Sequence, residues 1–374
     1  MTNKNQYIPD YAVPPGETLR ELLEEREMSQ AELAQRMGRT PKMINELMAG
    51  KAPLTHETAL LLEQVLGVPA RLWNRLEANY QEDLARLARR QELAAHVSWL
   101  KEFPLKAMLK NQWIAQHEDA IDQLIELLRF FSVASPEKWN SLWFAPQAAF
   151  RQSPAFEANP MAVAAWVRKG EIEAQKRECG PYDKEAFSCV LVELRDLTRE
   201  PPAVFQQQII ERCAEVGVAV VFVPALPQSR VSGATQWLSP QKAQLQLSLR
   251  YKTSDHLWFT FYHEAGHIYL HGKRQVFIDD SDGSTCQKEA EADRFAADLL
   301  IPLAQWHSFI TRPRKHYSKE EIVAFANELG IEPGIVVGRL QHEKLLKPTH
   351  CNVLKRYLEW QTQGDSVTIT EKER

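Results

Sequence analysis

Residues 263–267 read His-Glu-Ala-Gly-His within the run SDHLWFTFYHEAGHIYLHGK. Side chains at i and i+4 share a face, one turn apart, when the chain is an α-helix. The flanking residues favour that helix. Ser254 is placed to cap it and Asp255 suits its positive end. Trp258, Phe261, Tyr262 and Ile268 supply apolar surface that demands burial. Gly266 lowers helix propensity, so a glycine here points to something packed close against the backbone. A helix of this composition belongs in a core, and the neighbouring chain has to fold around it.

Two histidines at this spacing offer a tetrahedral Zn²⁺ two nitrogens at about 2.0–2.1 Å. Glu264, beside the first, is then the group that accepts a proton from the attacking water and is not a ligand. The bland reading is two exposed histidines on a surface helix. The aromatic flanks oppose it, and so does CQKEAEADRFAADLLIP at 286–302. A catalytic zinc takes three protein ligands, and this segment can supply the third. Ser284 with Gln287 is expected to cap a helix that Pro302 ends. On it Glu289 and Asp293 share a face with Ala292 and Ala296, whose small side chains permit close approach. Glu289 is the expected ligand, and Asp293 is expected to orient a ligand histidine. Glu291 points toward the side of Phe295 and Leu299 and is the second choice; Cys286 is the third. His271 falls at a helix end, where a capping or solvent role is expected. The acidic DDSDGS at 279–284 lacks calcium-loop spacing and reads as a turn.

The N-terminal part carries different punctuation. In ETLRELLEEREMSQAELAQRMGRTPKMINELMAGK, Leu19, Leu22 and Leu23 form one apolar stripe. Ser29 with Glu32 reads as a capping box, Gly38 closes that helix, and Thr40 caps the next with Pro41 at its first position. Two short helices joined by a tight turn make a helix-turn-helix. Its second helix would offer Thr40, Lys42, Met43 and Asn45 to a major groove, flanked by Gln30, Arg39 and Lys51, while Ile44 and Leu47 face inward. Residues 1–80 hold nine Lys/Arg against eleven Asp/Glu, net −2. That is a poor electrostatic footprint for nucleic acid, and a packing role alone would suit it. However, Arg36, Arg39, Lys42 and Lys51 surround the recognition helix and can make a local positive face.

From about residue 13 to 80 the chain resembles the lambda-repressor-like (XRE) helix-turn-helix in its HigA antitoxin branch. SQAELAQRMG, AGKAPLTHETALLLEQVLGVP and RLWNRLEANY carry that likeness. It implies a homodimer on a palindromic double-stranded DNA operator. From about 200 to 345 the chain is similar to the ImmA/IrrE metallopeptidases: HEAGH is followed by Glu289, Ala292, Phe295, Ala296, Leu299, Leu300 and Pro302 in that family's order, and then by SKEEIVAFANELGIEPGIVVGRL. This second likeness implies zinc and a protein substrate, often a repressor or other regulatory partner.

Composition bounds these readings. A chain of 374 residues, 44% hydrophobic and net −4, has room for two or three domains. Its apolar runs are far short of a membrane span, and MTNKNQYIPDYAVPPG lacks an apolar secretion segment. Five scattered cysteines without a C-x-x-C pair give no disulfide framework. A cytoplasmic protein is expected. The fold class expected is α+β, mostly helical: a five-helix lambda-repressor-like domain over 1–90, a helical linker region over 91–200, a zincin-like domain with a small β-sheet over 201–347, and a C-terminal helix and frayed tail over 348–374. The function expected is a DNA-binding regulator carrying a zinc endopeptidase. The alternative is a HigA-like antitoxin whose peptidase-like domain only binds a toxin partner or senses a ligand.

Overall fold

The computed structural model describes residues 11–144, 158–271, 277–278, 286–313, 316–363 and 366–372. The chain divides into two compact units, 1–98 and 99–374. Among the described residues no helix is long and apolar enough to cross a membrane.

The first unit is helical: α1 (Pro15–Glu25), α2 (Gln30–Met37), α3 (Pro41–Met48), α4 (His56–Leu66) and α5 (Ala70–Ala94). Leu19, Leu33, Ile44, Leu62 and Trp73 meet in its core. Ser29 accepts from the Glu32 amide at 3.1 Å, while the Glu32 carboxylate turns away to Arg36 at 2.6 Å. The expected capping box is thus a single cap, because a nearby guanidinium competes for the carboxylate. Thr40 caps α3 through the Met43 amide at 3.2 Å.

The second unit is α+β. Its helices are α6 (Leu105–Lys110), α7 (Ala120–Phe131), α8 (Pro136–Trp139), α9 (Pro160–Lys176), α10 (Lys184–Leu194), α11 (Pro202–Glu215), α12 (Ser254–Leu270), α13 (Cys286–Leu300), α14 (Leu303–Ile310), α15 (Lys319–Leu329) and α16 (Pro333–His342). A four-stranded sheet runs in the order β1-β3-β2-β4, from β1 (Val218–Phe222), β2 (Gly233–Ser239), β3 (Lys242–Leu247) and β4 (Phe277–Ile278). β1 lies parallel to β3; β2 is antiparallel to β3 and to β4.

Alternation sorts the two faces of this sheet. Val218, Val220, Leu245 and Leu247 join Leu257, Trp258 and Phe261 of α12 in the main core. Ala219 and Val221 pack with Val163, Trp166 and Val167 of α9 on the opposite face. The region read as a helical linker therefore supplies one of the layers covering the sheet. Its Trp166 is buried there, with Nε1 donating to the Val223 carbonyl at 3.0 Å.

The C-terminal segment also departs from expectation. In place of a helix and frayed tail, β5 (Leu358–Gln363) and β6 (Ser366–Glu371) pair as an antiparallel hairpin. Leu358 and Ile369 are buried in the main core. The hairpin is tied to the chain entering α12: Ser254 N donates to Arg356 O at 3.0 Å and Leu358 N to Lys252 O at 2.8 Å. Burial of these two side chains and this backbone pairing supply what a frayed end lacks.

Candidate metal centre and helix-turn-helix

α12 forms and is buried for one reason: its sequence is apolar on most sides. Trp258, Phe261 and Tyr262 are fully enclosed, and the Tyr262 hydroxyl is satisfied by the Leu191 carbonyl at 3.0 Å. The helix begins differently from expectation. Ser254 is its first residue and Thr253 its N-cap, with no side-chain cap bond; the Ser254 amide bonds the C-terminal segment instead. Gly266 faces α13. A Cβ there would lie 3.1 Å from Phe295 and 3.3 Å from the Ala292 Cα, so the missing side chain lets the two helices touch.

That contact brings the candidate ligands together. His263 Nε2 lies 3.0 Å from Glu289 Oε2, and His267 Nε2 lies 3.3 Å from Glu289 Oε1. The two Nε2 atoms are 3.0 Å apart. On the far side of its ring, His263 Nδ1 meets Asp293 at 2.9 Å. Burial alone would push the His263 pKa down, but hydrogen bonds to Asp293 and Glu289 outweigh it and hold the imidazole up at about 11. Burial would raise Glu289; hydrogen bonds from His263 and His267 bring it down to about 2. The one potential ligand atom of each group lies within 4.8 Å of the others. Two imidazole nitrogens and one carboxylate are the donor set of a catalytic zinc site, so these residues fit the ion.

The alternatives to Glu289 sit elsewhere. Glu291 accepts from Gln287 at 3.0 Å and stands 3.8 Å from His271. His271 is the C-cap of α12, as expected from its position, its amide donating to the His267 carbonyl at 3.1 Å; it is buried and not solvent-facing, its Nε2 3.1 Å from the Lys288 carbonyl of α13. The side chain of Cys286, the cap at Ser284 and the turn at 279–284 fall outside the described residues. Glu264 is 0% exposed. A cavity of about 640 Å³ opens beside this centre, with Phe259, Thr260, Asp293, Ala297 and Arg339 in its wall. Its wall meets the ligand His263 through Asp293, 2.9 Å from Nδ1, and through Phe259, whose ring lies 6.3 Å from that of His263.

In the first unit, Ile44 and Leu47 face the core. Gln30, Thr40, Lys42, Asn45 and Lys51 are exposed and Met43 is partly buried. The Lys42 side chain is 83% accessible and stands 3.8 Å from Glu46. Arg39 is engaged by Glu57, which draws part of its charge away from any outside partner.

Two family models match, a helix-turn-helix over residues 19–73 and an IrrE N-terminal-like domain, of a peptidase family, over residues 213–341. A curated relative, the uncharacterized HTH-type transcriptional regulator YddM of Escherichia coli, is 35% identical over 82 residues, 20% of this chain and 87% of that protein. The chain belongs to the XRE-type helix-turn-helix proteins. It carries the IrrE-like peptidase domain as its C-terminal part. Among solved structures, the antitoxin HigA of Pseudomonas aeruginosa, determined with its higBA promoter, is 25% identical, covering 22% of this chain and 91% of its own, with a TM-score of 0.21. A HigA-family antidote protein of Coxiella burnetii gives 25%, 22%, 92% and 0.21.

Two features at the IrrE-like site have no local signature in the sequence or only a weak one. Gly233, at the start of β2, lies against Glu264; an isolated strand glycine is the available signal, since it often marks a close approach. Lys355 pairs with Asp255 at 2.7 Å, both buried, at the first turn of α12. No local pattern links residues a hundred positions apart.

Proposed function

We propose that this protein is a DNA-binding transcriptional regulator whose second unit is a zinc-dependent endopeptidase acting on a regulatory protein. The observation that carries the reading is the convergence of His263, His267 and Glu289, with Glu264 following His263 in the chain. Zinc at such a donor set supplies Lewis acidity toward a carbonyl and acidifies water. The chain's own residues do the rest. Asp293 holds His263 by Nδ1, leaving Nε2 to face the centre. Glu264 takes the proton of the attacking water and passes it to the leaving amine. The cavity beside Phe259 and Asp293 seats a substrate side chain and keeps bulk water away. The first unit binds a palindromic operator as a homodimer, with Lys42, Asn45, Thr40 and Met43 toward base edges, and Gln30, Arg39 and Lys51 toward the backbone.

The test is metal analysis together with proteolysis of the neighbouring gene product. The purified protein should hold about one zinc per chain, and His263→Ala or His267→Ala should lose it. Glu264→Gln should keep the metal and stop cleavage. Cleavage by Glu264→Gln at the normal rate would exclude the base assigned here. One observation favours a second reading: Glu264 is 0% exposed, as suits a domain that only binds a partner, in the manner of an antitoxin. In that case zinc is bound and wild type cleaves nothing.

A further inference from the structure

Gly233 opens β2, and its backbone lies outside the left-handed region. Its conformation does not demand glycine; its surroundings do. A Cβ at this position would lie 2.5 Å from Glu264 Oε1, 2.6 Å from Cγ and 2.8 Å from Cδ. Carbon atoms in optimal contact stand about 3.5–4.0 Å apart. Because Cγ is struck as well as the carboxylate, turning the end of the side chain gives no relief. The whole side chain would have to leave its position, and it is 0% exposed, enclosed on every side.

Residue 233 is equally fixed. It pairs with Leu247 of β3, and the next residue, Ala234, pairs with both Gln246 and Ile278. The approach to the strand is pinned by Ser248, whose amide donates to Ser232 O at 2.8 Å and whose hydroxyl donates to Val231 O at 2.7 Å. Neither partner can withdraw from the other.

We propose that Gly233 is the positioning residue of Glu264. The start of β2 forms a floor without side chains on which this carboxylate is seated, so the sheet as well as the helix sets its place relative to His263 and His267. The importance of that seat for hydrolysis rests on the reading of Glu264 as the base; the seat itself does not.

The experiment compares four full-length proteins: wild type, Gly233→Ala, Glu264→Ala and the double variant. Each is melted after metal removal with a chelator, then titrated with zinc against a competing chelator. Gly233→Ala should lower the melting temperature by several degrees alone. In the Glu264→Ala background the same change should cost less or raise the melting temperature, because the new methyl enters the vacated volume. Zinc affinity should stay near wild type in Gly233→Ala, since no ligand moves. Should Gly233→Ala fail to fold while the double variant folds, the coupling is supported in its extreme form. An equal loss in both backgrounds, including failure of both to fold, would overturn the proposal, as would loss of zinc affinity in Gly233→Ala. Absence of zinc or of proteolysis in wild type would dismiss the function proposed above and leave this coupling untouched.

Discussion

His263 is asked to do two things with one ring. Its Nδ1 meets Asp293 while its Nε2 meets Glu289 and lies 3.0 Å from the Nε2 of His267. The choice of Glu289 over Glu291 is tested by competitive chelator titration: Glu289→Ala should weaken zinc far more than Glu291→Ala, whose carboxylate faces His271 and Gln287. The reverse order would move the ligand to Glu291. Protons compete for the same atoms. With His263 held up at about 11 from 6.5, its pairing stabilises the metal-free fold fully below pH 6.5, and the contribution is lost as pH rises toward 11. Glu289, brought down from 4.5 to about 2, contributes above pH 4.5 and loses its contribution as pH falls toward 2. The metal-free cluster is therefore tightest between pH 4.5 and 6.5. Zinc must displace the His263 proton, so affinity should rise with pH across neutrality, by roughly tenfold per unit for one proton. Calorimetry in buffers of different ionisation enthalpy measures that release; a proton count of zero would refute it. The histidine pair was legible because its spacing is a property of one helix. The seat at Gly233 was not, because it exists only once a strand thirty residues away is placed.

At the scale of elements, the start of α12 is held by charge. Asp255 pairs with Lys355 at 2.7 Å, and Glu332 accepts from the Arg356 amide at 3.3 Å. Burial pushes the Glu332 carboxyl up to about 7, against the pull of Arg356 and helped by Asp255. The folded state thus keeps a proton that the unfolded chain releases above 4.5, and stability should fall as pH rises from 4.5 to 7. Glu332→Gln should remove much of that fall, worth up to a few kcal/mol. Urea unfolding at pH 5 and pH 8 measures it, and an unchanged difference between the two would count against the assignment. The hairpin of β5 and β6 contributes Leu358 and Ile369 to the same core. Truncation after residue 355 should unfold the second unit and spare the first, leaving a single calorimetric transition; retention of both would show the hairpin to be dispensable. The helices are legible in the sequence, since caps such as Thr40 and stripes such as Leu19 and Leu23 act locally. The hairpin is less legible, although Leu358 and Trp360 alternate against Val367 and Ile369 across a Gly-Asp pair. The polar residues between them obscured a pattern whose apolar face finds its partner only in tertiary packing.

For the whole molecule, each of the two units has a core that can be tested separately. Residues 1–98 should shift a promoter fragment from the protein's own locus in a gel assay. Replacing Lys42 and Asn45 with Ala should erase preference for that fragment, since each side chain that reads a base edge is worth about 1–3 kcal/mol of discrimination. Lys51→Ala should instead weaken all DNA alike and flatten the salt dependence. Loss of preference in the Lys51 variant alone would reverse these roles. The C-terminal hairpin adds a consequence in time. A ribosome emits the chain from the N-terminal end, and domains fold as they emerge. The five-helix unit can close while most of the chain is still unmade. The second unit lacks Leu358, Ile369 and the Lys355 partner of Asp255 until β6 is out. Each new molecule is therefore a finished helix-turn-helix while its IrrE-like unit is still open.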